Sequence, residues 1–136
     1  MSPVNWQRKI FSGKVKERKI MKMPSDPTLE LAKRVLAEVD FDDRLFGFKL
    51  TLRAGPTPVT MYSFPEVVAF LRDDNPRIDI AGLRIWIKDV MGDRELAGII
   101  DKEIGKNDTE YKKTEIVREL MEIRLDQCKR LVRKKG

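Results

Sequence analysis

Hydrophobic positions first recur at helical spacing where Leu29, Ala32, Val35, Leu36 and Val39 fall on one face behind Asp26 and Pro27. A cap followed by proline at the first helical position predicts a helix from there to about Val39. The period then changes. In "LFGFKLTLR" (45–53) Phe46, Phe48, Leu50 and Leu52 alternate with Gly47, Lys49, Thr51 and Arg53, the rhythm of a half-buried strand. Ala54-Gly55-Pro56-Thr57-Pro58 breaks the alternation, and Val59 and Met61 resume it, so the pattern predicts a β-hairpin. A lone hairpin is marginal in water, and helices are expected to cover its phenylalanine face.

Helical spacing returns after Tyr62. Ser63 and Glu66 form a capping box for a helix that turns Phe64, Val67, Val68 and Leu71 inward, and "DDNP" (73–76) ends it. Ile80, Leu83, Trp86, Ile87 and Val90 space the next helix up to Gly92. Asp93 caps another, carrying Leu96, Ala97, Ile100 and Ile104 and closed by Gly105. Asn107 and Glu110 open a long last helix, from about 109 to 133, with Ile116, Val117, Leu120, Met121, Cys128 and Leu131 on its stripe. The fold class expected is α+β, mainly helical: one β-hairpin covered by about five helices in a single globular domain, residues 25–136.

Charge sets residues 1–24 apart. They hold Arg8, Lys9, Lys14, Lys16, Arg18, Lys19 and Lys22 against one acid, Glu17, which equals the whole chain's formal +6. The last eight residues add Lys129, Arg130, Arg133, Lys134 and Lys135 with no acid, so residues 25–128 carry a net −5. Within the leading segment, Ser2 and Pro3 can open a short helix and Gly13 can end it. Val4, Trp6, Ile10 and Phe11 share one arc of that helix, with Arg8 and Lys9 on the other. Residues 1–24 are therefore read as a basic amphipathic docking arm.

Composition narrows the chemistry. The chain has 136 residues, one domain's worth, with 37% charged residues against a usual ~25%. It has no histidine, which removes the commonest general base and zinc ligand. The single Cys128 excludes an internal disulfide; its neighbours Lys129 and Arg130 could lower its pKa, but a buried small hydrophobe is the reading preferred. Asp40, Asp42 and Asp43, and Asp73, Asp74 and Asp79, are read as turn residues rather than as a metal site. There is no Gly-rich phosphate loop. No catalytic residue, cofactor, metal or small-molecule substrate is expected. The absence of any apolar run near ~20 residues leads to an expectation of a cytoplasmic protein.

"WIKDVMGDRELA" (86–97) resembles a motif of an uncharacterised archaeal and bacterial domain-of-unknown-function family. The resemblance spans about residues 44–125 and rests on Phe46 and Phe48; Ser63 and Glu66; Trp86, Ile87, Asp89, Val90, Gly92, Asp93, Glu95, Leu96 and Ala97; and Arg118, Glu119 and Leu120. It implies a fold class and no activity. A Phe-His pair that the family carries before the tryptophan has no counterpart in this histidine-free chain, and the basic arm lies outside the match.

The function expected is a non-catalytic accessory protein that docks on a larger protein or ribonucleoprotein complex, an enzyme assembly or the ribosome. Trp6, Arg8, Lys9, Ile10, Phe11, Lys14, Lys16, Arg18, Lys19 and Lys22 are its candidate contacts. One alternative is RNA binding through the arm together with Lys129, Arg130, Arg133, Lys134 and Lys135. A second is attachment of the N-terminal helix to an anionic membrane surface.

Overall fold

In the computed structural model the described residues are 23–106 and 109–135. Their order is helix α1 (Leu29–Leu36), a 3₁₀ turn (Phe41–Asp43), strands β1 (Leu45–Thr51) and β2 (Gly55–Met61), helix α2 (Phe64–Arg72) and strand β3 (Pro76–Arg77). Helix α3 (Ile80–Ile85), running on into a π turn (Trp86–Val90), helix α4 (Arg94–Ile104) and helix α5 (Glu110–Lys135) complete it. The mainly helical α+β class is as the sequence predicts. The sheet has three strands rather than two, in the order β2-β1-β3 with every pairing antiparallel.

Local chemistry explains most boundaries. Thr28, not Asp26, caps α1: its Oγ1 accepts from the Leu31 N–H at 3.1 Å, and Pro27 lies just ahead of the cap. The helix stops at Leu36, short of Val39, because the chain turns there to pair with the start of α2. Glu38 bridges to Ser63, and the Val39 N–H donates to the Tyr62 carbonyl at 2.7 Å. Ser63 Oγ accepts from the Glu66 N–H at 3.2 Å, and Glu66 reaches back to the Tyr62 N–H, closing the expected box one residue early. Gly92 sits at φ +76°, a left-handed turn that lets the Asp93 N–H bond back to the Ile87 carbonyl at 3.0 Å. Asp93 then caps α4, Oδ1 accepting from the Leu96 N–H at 3.1 Å. Among the described residues the cap of α5 is Thr109, whose Oγ1 accepts from the Lys112 N–H; Asn107 lies outside them.

The hydrophobic core lies between α5 and the shorter helices. Ala32, Val35, Phe64, Val67, Leu83, Ile87, Leu96, Ile100, Val117, Leu120 and Met121 are all buried there. Trp86 is buried too, and its indole N–H donates to the Asp43 carbonyl at 2.7 Å, tying the 3₁₀ turn beside the sheet to the helical layer. At about 1.5 Å per residue the 26-residue α5 is roughly 39 Å long and spans the whole body.

A buried ion pair, Arg124 with Asp93, penetrates this core. Arg124 is 0% exposed, and all five of its N–H donors have acceptors. Nε and Nη2 grip the Asp93 carboxylate at 2.8 and 3.2 Å, and Nη2 also reaches Glu95 Oε1 at 3.0 Å. Nη1 donates to the Ser25 carbonyl at 2.7 Å and to Gln127 Oε1 at 2.9 Å. The guanidinium thus fastens α5 to the cap of α4 and to the segment ahead of α1. Replacing Arg124 with Ala strands a buried Asp93 carboxylate, so urea denaturation is expected to show a loss of about 3–5 kcal/mol. The pair Asp93→Asn with Arg124→Met is expected to lose less than Arg124→Ala alone.

Candidate interaction surface

The hairpin is where pattern and structure part. Its register places Leu45 opposite Met61, Gly47 opposite Val59 and Lys49 opposite Thr57. Cross-strand partners share a face, so the side holding Leu45, Val59 and Met61 is the side that packs on the helices. Gly47 is what lets it pack. A Cβ at that position would lie 2.7 Å from Phe70 Cζ of α2 and 3.2 Å from the Arg77 carbonyl. The absence of a side chain brings the sheet against α2.

Phe46, Phe48, Leu50 and Leu52 consequently point away from the helices, opposite to the covered face that the alternation predicts. Phe46 is 54% and Phe48 48% exposed, and Leu52 at the turn is fully exposed. Opposite them on β2 stand Thr60, Pro58 and Pro56. Phe41 of the 3₁₀ turn, also exposed, extends the patch. The Arg44 guanidinium lies over both rings, 3.6 Å from the Phe41 centroid and 4.8 Å from that of Phe46, and donates to the Phe41 carbonyl at 2.6 Å. These contacts hold the aromatic side chains in place on the surface.

The edges of this sheet are less available than its face. In an antiparallel ladder alternate residues point their N–H groups outward. Pro56 and Pro58 cannot donate to β1, so they occupy outward positions of β2 and leave that edge without two donors. The other edge, β3, is two residues long.

Beside Phe48 the sheet borders a cleft of about 790 Å³ between the 72–79 connection and the first turns of α5. Asp73, Asp74, Asp79, Glu110 and Glu115 line it, against Arg72, Arg77 and Arg118. Two of the cations are already engaged: Arg72 Nε lies 2.5 Å and Arg118 Nη1 3.1 Å from the Glu122 carboxylate. The Lys49 ammonium pairs with Asp73 and holds its carboxyl below the usual range, helped by the Asp74 backbone N–H. A hydrogen bond with Glu115 raises the exposed Tyr111 phenol. The result is an aromatic face flanked by an acid-rich recess.

A second surface lies at the opposite end of α5. Gln127 Nε2 donates to the Pro24 carbonyl at 3.0 Å, and Arg124 holds Ser25. The Ser25 N–H, its hydroxyl and then Arg124 hold the Glu95 carboxyl below its ordinary value. These bonds fix the start of the described chain beside the helix turn that leads into Lys129, Arg130, Arg133 and Lys134, all exposed. Arg130 pairs with Asp126, and Lys135 is the last helical residue. The ten arm residues, Trp6, Arg8, Lys9, Ile10, Phe11, Lys14, Lys16, Arg18, Lys19 and Lys22, lie outside the described residues. Their point of attachment does not: the segment joins the body at the cationic end of α5.

Among the described residues no three His, Cys, Asp or Glu side chains converge as metal ligands. No helix among them is long and apolar enough to cross a membrane. Cys128 is buried, and desolvation pushes its thiol up to about 11, outweighing nearby Arg124. Activation by its basic neighbours is thereby overturned, because Lys129 and Arg130 point to solvent on an adjacent face. Compared with protein-family models, curated proteins and solved structures, the chain matches none.

The thiol yields a direct check. Native protein at pH 8 is expected to react with Ellman's reagent only on unfolding. Because the folded pKa is raised, the stability contributed by the protonated thiol is complete below about pH 9 and is lost as pH rises towards 11. The fall should be absent in Cys128→Ala, measured as the difference between the two proteins.

Proposed function

We propose that this protein is a cytoplasmic, non-catalytic accessory protein that docks on a larger protein-containing complex, with the exposed β1 face as a principal contact beside the basic N-terminal segment. The observation that carries the reading is the outward placement of Phe46, Phe48, Leu50 and Leu52 on a braced sheet. Aromatic anchors at the centre of a patch with polar groups around it are the usual arrangement of a binding hot spot. The occupant that fits is a partner protein presenting apolar side chains to the phenylalanines and a basic group to the acid-rich cleft next to Phe48. Recognition there would use side chains rather than strand addition, since Pro56 and Pro58 blunt one edge.

Magnitude supports this choice of anchors. Each half-exposed phenylalanine still offers on the order of 100 Å² of apolar surface, and at about 25 cal/mol per Å² its burial is worth roughly 2.5 kcal/mol. The double variant Phe46→Asp, Phe48→Asp is expected to remain folded, with a cooperative urea transition weakened by a few kcal/mol at most, because neither ring packs in the core and only their half-buried surface and strand propensity are lost. Affinity purification from native lysate, quantified by mass spectrometry, should show the partners of wild-type protein depleted by at least about 100-fold for the variant, the loss of one ring alone. Undiminished recovery of the same partners by the folded variant would overturn the reading.

A further inference from the structure

The cationic end of α5 has no part in the sheet face, and its chemistry is different. Lys129, Arg130, Arg133 and Lys134 occupy four of the six positions from 129 to 134 of one helix, an arc of about 140°. All are exposed; Arg130 pairs with Asp126, which also attracts Arg133 and Lys129, and Asp26 acts on Arg130 through space. The apolar neighbours Leu131 and Val132 turn the other way, packed against the core. A second, independent observation points to the same place. Gln127 and Arg124 bond to Pro24 and Ser25, so the described chain begins beside this cluster, and the segment that precedes it carries seven basic residues in its sequence. From the cleft-lining Tyr111 to Arg133 is 22 residues along α5, which separates the ends by about 33 Å.

We infer that this end is a binding surface for the phosphate backbone of single-stranded RNA, contacted through Lys129, Arg130, Arg133 and Lys134. The inference rests on the docking reading and deepens it: the complex is a ribonucleoprotein, with protein meeting the sheet face and RNA the opposite end. RNA fits better than a bilayer, because the helix presents charge there without the apolar stripe that an interfacial helix buries. With no aromatic side chain among the four, recognition is of phosphates and is independent of sequence.

The test is fluorescence anisotropy of the full chain with a fluorescein-labelled oligouridine of about 20 nucleotides. Wild-type protein is expected to bind at 50 mM salt and to release steeply as salt rises. Lys129→Gln, Arg133→Gln, Lys134→Gln removes three contacts at ~0.7 each, lowering the slope of log affinity against log salt by about two. Affinity at 50 mM salt should fall more than about tenfold. Phe46→Asp, Phe48→Asp should bind the oligonucleotide as wild type does, which separates this surface from the sheet face. The inference is overturned if wild type does not bind, if the triple variant binds unchanged, or if RNA binding is lost in the phenylalanine variant. It is overturned equally if the protein floats with phosphatidylserine vesicles while ignoring the oligonucleotide. A cluster that serves only the helix dipole predicts a lower melting temperature in the triple variant and no RNA binding to lose.

Discussion

A strand can bury only one of its two faces on a single helical layer, and the whole surface of this protein follows from which face β1 gives up. Gly47 and Phe70 settle it. The ring of Phe70 occupies the volume a side chain at 47 would fill, and the cross-strand partners Val59 and Met61 lie on the same side. Once those are inward, the two-residue period forces Phe46, Phe48, Leu50 and Leu52 outward together. Arg44 then stacks on the exposed rings, and the Trp86 indole anchors the turn that carries Phe41.

The second organising feature is the Arg124 guanidinium. A buried ion pair is weak evidence for stability as such, because desolvation offsets much of its attraction. Its consequence here is positional. One side chain on α5 fixes the cap of α4 through Asp93 and the entry of the chain through Ser25. Gln127, three residues further, takes the Pro24 carbonyl. The described chain thereby begins beside the helix end that carries lysine and arginine. A chain that is only +6 overall becomes two-ended: cationic at the close of α5, acid-rich around its start.

Much of this was legible in the residues. Ser63, Gly92 and Asp93 announce helix ends by local bonding that needs no tertiary context, and each caps where its type predicts. The five-helix count and the burial of Trp86 and Cys128 follow from spacing alone. The rest depended on contacts distant in sequence. Alternation shows that a strand has two unlike faces, but only pairing shows which meets the helices; Gly47 opposite Val59 was the available sign. Arg124 interrupts an apolar stripe that runs through Leu120, Met121 and Cys128, and that position inside the stripe marked it for burial. Thr28 displaced Asp26 as a cap through a difference of two residues in where the turn begins. The two-residue β3 carries no pattern of its own, and exists because β1 offers it partners at Phe48 and Lys49.

The orientation of β1 can be read in solution without any partner. With all six phenylalanines labelled for NMR, a soluble paramagnetic agent broadens rings that meet water and spares those that do not. Strong broadening at Phe46 and Phe48, with Phe64 and Phe70 untouched, is the result the structure requires. Protection of Phe46 and Phe48 in the monomer at the level of Phe64 would contradict the account.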